Sequence, residues 1–122
     1  GIVSWYTTKT GGGNIPMSGA HLEPTLEGMV TLSQDLMTIT IGMAGLYRVS
    51  MEPNFTSATG AGHYIQIQLN GSVVVTKWGS NGGGFGLVSR VLNLKKDDKI
   101  VFYANHLYAS SKDSSCFIIE KL

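Results

Sequence analysis

Only one cysteine, Cys116, stands in 122 residues. Without a second thiol the chain has no internal disulfide framework, and zinc sites built from several thiolates are excluded. Charge is scarce as well: nine Lys and Arg face eight Asp and Glu, 14% of residues are charged, and the formal net charge is +1. So flat a balance supplies no field for nucleic acid or for an anionic membrane surface. No apolar run approaches the ~20 residues of a membrane span, and the N-terminus lacks the basic-then-apolar layout of a signal peptide. The chain opens on Gly1 rather than Met, which reads as a processed fragment with a signal or stalk upstream. Helical periodicity is missing throughout.

Alternation is abundant in its place. From Leu36 to Met51, Met37, Ile39, Ile41 and Met43 fall on one face and Thr38 and Thr40 on the other, so a half-buried strand is expected. Ala44-Gly45 then breaks the pattern before Tyr47, Val49 and Met51, which predicts a tight turn between two antiparallel strands. Ile65, Ile67 and Leu69 alternate with Gln66 and Gln68, and Asn70-Gly71 supplies the positive φ of a type I′ hairpin turn leading into Ser72 to Thr76. Gly79 to Gly84 is a loop, and strand pattern returns from Phe85 to Leu94. Lys95 to Asp98 is a polar turn; Lys99 to Ala104 and Cys116 to Leu122 complete the strands. Glycine patches at Gly11 to Gly13 and Gly82 to Gly84 are the only low-complexity segments. Many short strands with regular turns predict a single all-β domain over residues 1–122, a sandwich or barrel.

Four stretches in order, Gly45–Ser50 (GLYRVS), Ile67–Gly71 (IQLNG), Leu92–Phe102 (LNLKKDDKIVF) and Ser115–Leu122 (SCFIIEKL), resemble the landmarks of the C1q/TNF-like superfamily, specifically a C1q-like head. Each motif is common alone; the order and spacing carry the resemblance. It spans Leu36 to Leu122, and residues 1–35 match less well. Gly45-Leu-Tyr47 and Ile118–Leu122 look especially like the bacterial branch, which includes heads of collagen-like exosporium glycoproteins. Asp97 departs from the pattern, standing where the family has the Gly of a Gly-Asp pair; the last strand also lacks the family's Phe-x-Gly-Phe. The resemblance implies a two-sheet antiparallel jelly-roll sandwich of about ten strands, associating as a homotrimer at the end of a stalk or fibre. Tyr47, Tyr103 and Phe117 are the residues it would place at the trimer interface.

Chemistry-bearing residues are few. Asp97 and Asp98 are adjacent, so on extended backbone they point apart and do not flank one bond as glycosidase carboxylates do. With Asp113 they are the weak candidates for calcium, and no cofactor is otherwise expected. His21, His63 and His106 lack metal-ligand spacing. Cys116 lies in an apolar strand and reads as a buried small hydrophobe, and Ser114 and Ser115 lie in no nucleophile elbow. A cupin-like enzyme would need a compact His and Glu cluster, and none is present. The large aromatics Trp5, Tyr6, Trp78, Tyr103, Tyr108 and Phe117 either fill a core or anchor a contact. Trp78 beside the glycine loop, with Asn81, suits a sugar or a protein ligand. Asn54–Thr56 and Asn70–Ser72 match the N-glycosylation sequon, a motif too common to carry an inference.

The expectation is therefore a non-enzymatic trimeric recognition or adhesion head on a cell, spore or virion surface, contacting a surface protein or glycan through exposed loops. Two alternatives stand beside it: a trimerisation module for an upstream collagen-like stalk with no ligand of its own, and a lectin-like carbohydrate-binding domain.

Overall fold

The computed structural model describes residues 1–23, 28–53, 63–79, 87–108 and 115–122. Among them run eleven strands: β1 Ile2–Tyr6, β2 Thr10–Asn14, β3 Ser18–Glu23, β4 Val30–Leu32, β5 Ile39–Ile41, β6 Gly45–Pro53, β7 Tyr64–Leu69, β8 Ser72–Trp78, β9 Val88–Leu94, β10 Lys99–Tyr108 and β11 Ser115–Lys121. They form a five-stranded sheet, β3-β1-β11-β6-β9, and a six-stranded sheet, β4-β5-β10-β7-β8, with β2 added along β10. Every pairing is antiparallel. The architecture is the expected two-sheet jelly-roll sandwich, with one strand more than anticipated.

Period-two alternation decides which side chains meet between the sheets. Val3 and Trp5 of β1, Tyr47, Val49 and Met51 of β6, and Phe117 and Ile119 of β11 face inward from the five-stranded sheet. Ile39 and Ile41, Ile65 and Ile67, and Ile100, Phe102 and Ala104 face them from the other sheet. The Val, Ile, Met and Phe side chains among them contribute roughly 1.5–3 kcal/mol each by leaving water. Phe102 and Phe117 meet across the sandwich with ring centroids 5.1 Å apart and planes at 52°, a tilted contact that aromatic quadrupoles favour.

Two local readings need correction. Ile39, Ile41 and Tyr47 do alternate inward, but β5 and β6 lie in different sheets rather than forming a hairpin. The chain crosses between the sheets at residues 42–44, where the Tyr47 hydroxyl donates to the Met43 carbonyl at 2.6 Å. Met43 is accordingly an exposed residue of that crossing and not a strand residue. The glycine patch Gly11–Gly13 lies within β2. A Cβ on Gly12 would lie 2.3 Å from the Asn105 carbonyl oxygen of β10, so only glycine lets β2 approach that closely.

The hairpin turn takes the expected form, with φ of 51° at Asn70 and 83° at Gly71. Asn70 also clasps the turn between β9 and β10. Its Oδ1 accepts from the Lys99 amide at 2.8 Å, its Nδ2 donates to Asp98 at 3.0 Å, and Asp98 accepts from the Lys95 amide at 2.8 Å. Asp97 adopts the positive φ, 73°, that glycine holds in the family pattern. A non-glycine residue at that φ carries left-handed strain. Asp97→Gly is expected to raise stability by roughly 0.5 kcal/mol, the balance of about 1 kcal/mol of strain relieved against added freedom in the unfolded chain. Chemical denaturation of the two proteins side by side measures it.

At the same end of the sandwich the chain ends meet: the Lys121 amide donates to the Gly1 carbonyl at 2.9 Å, and the Leu122 amide to that of Leu46 at 2.8 Å.

Candidate functional site

The outer faces of the two sheets differ in chemistry, and each carries a group of residues that the core does not use. On the six-stranded sheet, burial of Ile65, Ile67, Phe102 and Ala104 turns Tyr64, Gln66 and Gln68 of β7 and Val101, Tyr103 and Asn105 of β10 outward. Trp78 pairs with Tyr64 across the hairpin and Thr76 with Gln66, so both share that face. The rings of Trp78 and Tyr64 lie 4.8 Å apart at 53°, and those of Tyr64 and Tyr103 lie 6.0 Å apart at 29°. Three aromatic side chains thus form a continuous row.

Polar groups line the row. The Asn105 Oδ1 accepts from the Tyr64 amide at 2.8 Å, and Gln68 Nε2 donates to Gln66 Oε1 at 3.1 Å. Asn14 of β2 stands opposite Tyr103 on the other side. A hydrogen bond with Tyr64, helped by desolvation, raises the Tyr103 phenol above its ordinary value, so Tyr103 is uncharged at neutral pH. Trp78 is 61% exposed, well beyond what packing of so large a ring needs. At the row's end the His63 and His106 rings approach to 4.8 Å at 55°.

On the five-stranded sheet the outward residues are Ile2 and Ser4 of β1, Leu46, Arg48, Ser50 and Glu52 of β6, Ser89, Val91 and Asn93 of β9, and Cys116, Ile118 and Glu120 of β11. Ile2, Leu46 and Val91 are exposed apolar side chains. Between them lie small hydroxyls, Ser50 and Ser89, 3.0 Å apart. Arg48 pairs with Glu120 at 2.9 Å, a half-exposed ion pair of small energetic weight.

Of the three residues expected at a trimer interface, Tyr47 and Phe117 are completely buried within the protomer, so they offer no surface to a second copy. Both lie on inward-facing positions of the five-stranded sheet, where alternation directs them to the core. Tyr103 lies on the other sheet, in the aromatic row. The structure therefore does not bring the three together. Tyr64, the centre of the row, and Ile2, Leu46 and Val91 were missed; the signal for them was being out of phase with the buried residues of the same strands.

Trp78 and Tyr103 are thus neighbours in one site, through Tyr64. Asn81 and Asp113 lie outside the described residues, as do the side chains of His21 and Tyr108. Trp5 is core and Tyr6 half-buried. Asp97 and Asp98 belong to the turn clasped by Asn70, and among the described residues no three His, Cys, Asp or Glu side chains gather to hold a metal. Cys116 is half-buried on the outer face opposite Glu52, not in the core; desolvation, then the Glu52 charge, push its thiol pKa up and lower its reactivity. Among the described residues no helix is long and apolar enough to cross a membrane.

Strand order and the two antiparallel sheets define a jelly-roll sandwich, and comparison with solved structures bears out that fold. The chain is similar to rabbit GITRL (TM-score 0.69, 18% identity, covering 99% of this chain and 93% of that one) and to GITRL from bushbaby (0.70, 13%, 99% and 92%). It is also similar to murine APRIL, with a TM-score of 0.76 at 10% identity over 99% of this chain and 98% of that one. At such identities the likeness is one of fold, and it includes the first 35 residues. No family model and no curated protein matches the sequence.

Proposed function

We propose that this domain is a non-enzymatic recognition head that assembles as a homotrimer and acts at an extracellular or surface location. The observation that carries the reading is the outer face of the five-stranded sheet in a C1q/TNF-like fold: Ile2, Leu46, Val91 and Ile118 around the compact Ser50-Ser89 pair. Aliphatic groups flanking small hydroxyls let a second protomer approach closely, and burial of the exposed apolar area on three copies drives association. The Arg48-Glu120 pair beside them fixes register rather than strength.

Rigid trimerisation also suits recognition. Three weak sites held in one body gain avidity without new chemistry. Surface ligands of the TNF-like kind support the same role.

Light scattering tests the assembly: the purified domain is expected at three times the protomer mass at micromolar concentration. Val91→Glu, which would leave one uncompensated negative charge per protomer beside the Arg48-Glu120 pair in the interface, is expected to give a folded monomer. A monodisperse wild-type monomer would remove the trimeric reading, and an unaffected V91E trimer would move the interface to another face.

A further inference from the structure

We infer that the row Trp78-Tyr64-Tyr103 on the six-stranded sheet is a binding site for a neutral oligosaccharide chain. This deepens the recognition-head reading and rests on it, by naming the class of ligand.

A pyranose carries axial C–H groups on one face and hydroxyls around its rim, so it binds where an aromatic ring can stack under the C–H face while amides meet the rim. The outer face of the six-stranded sheet holds both parts. Three rings stand in series with centroid separations of 4.8 and 6.0 Å, and Trp78 leaves 61% of its surface open. Gln66, Gln68, Asn105 and Asn14 border them. The Gln68-Gln66 bond uses the Gln66 carbonyl and one Gln68 amide hydrogen; the Gln66 amide group and Gln68 carbonyl are the complementary donor and acceptor for sugar hydroxyls.

Charge selects among glycans. Among the described residues, those flanking the rings on this face, Gln66, Gln68, Thr76, Val101 and Asn105, are uncharged, and Lys99 follows only at the far end of β10. A sialylated or sulfated chain finds no counter-ion among these residues and loses hydration on docking, whereas a neutral one loses little. Ring tilt selects again. The ring planes lie at 53° and 29° to one another, so a flat crystalline polysaccharide surface touches one ring at a time. A single soluble chain can rotate about its glycosidic bonds and lie on all three. The row is longer than one pyranose, which favours oligosaccharides over monosaccharides.

The test uses the intact domain and a panel of neutral hexasaccharides: gluco-, manno-, galacto- and N-acetylglucosamine-linked, with sialylated and sulfated chains and a proline-rich peptide as controls. Calorimetry and the fluorescence of exposed Trp78 report binding; Trp5, buried, is the internal reference. Wild type is expected to bind at least one neutral hexasaccharide, Trp78→Ala to weaken it by about ten-fold or more, Tyr103→Ala to weaken it less, and Trp78→Phe to restore part of the loss. Three results overturn the inference: no neutral chain bound at millimolar concentration, binding undiminished in W78A, or binding only to the charged chains or the peptide. A W78A domain that no longer forms the trimer also overturns it, by assigning Trp78 to a subunit contact. Because mass is recorded on the same samples, a trimer that binds no sugar removes the glycan site and leaves the trimeric head standing.

Discussion

Truncating Phe117 to alanine is expected to lower the free energy of unfolding by roughly 3–5 kcal/mol. The ring is completely buried and packs on Phe102 of the opposite sheet at 5.1 Å. Removing it leaves a cavity lined by residues anchored in two hydrogen-bonded sheets, and neither sheet can close the gap without breaking ladders. Domains of this size have about 5–15 kcal/mol in total, so the variant sits near the limit of folding. Urea titration at matched protein concentration, needed for an associating protein, is expected to move the midpoint down without changing the slope. Phe117→Leu, which refills most of the volume, is expected to lose clearly less. A loss below about 1 kcal/mol for F117A would mean that the two sheets are not held at this pair.

The second large effect is at the hairpin. Asn70→Ala removes a residue that tolerates φ of 51° together with the bonds from Oδ1 and Nδ2 to Lys99 and Asp98. Left-handed backbone costs an alanine about 1 kcal/mol and each lost bond about 1 kcal/mol, so a decrease of roughly 2–3 kcal/mol is expected. Asn70→Gly keeps the backbone and loses only the bonds, which separates the two contributions. The variant also changes the acid limb. The Lys95 amide first, and the Asn70 side chain second, hold the Asp98 carboxyl below the usual carboxylate range. A folded-state pKa below the unfolded one gives stability that is present above the unfolded value and lost as pH falls through the folded one. N70A is therefore expected to show a shallower decline of stability on acidification below about pH 4. An identical acid limb in both proteins would show that Asn70 does not act on Asp98.

Much of this was legible in the sequence because it is local. Asn70-Gly71 specifies its turn regardless of surroundings, and Ile65, Ile67, Gln66 and Gln68 announce their faces by period two. The failures share one cause, which is that alternation says two faces exist without saying what covers each. Tyr47 and Phe117 carried the resemblance to a trimer, and their phase with Val49, Met51 and Ile119 put them in the core. Tyr103 had the opposite phase to Phe102 and so faced outward, but its meeting with Tyr64 and Trp78 depends on β10 lying beside β7, a pairing separated by some thirty residues. Gly11 to Gly13 carried no strand signal because glycine weakens a strand on average, whereas Gly12 is needed for contact with Asn105, which no local window contains. The β5-to-β6 crossing was missed for a similar reason: a turn after Met43 looks the same whether the next strand joins the same sheet or the other one.

The meeting of Gly1 with Lys121 gives the molecule a base and a tip. Both chain ends leave from the margin that also holds the Asn70 clasp, because β6 and β9 run from Gly45 and Leu94 there and β10 starts at Lys99. Trp78, Tyr64 and Asn105 sit at the far ends of β8, β7 and β10, six residues or about 20 Å along. A tether joined to either terminus therefore enters at the base, and the aromatic row is carried outward on the distal side, away from whatever surface the tether is fixed to.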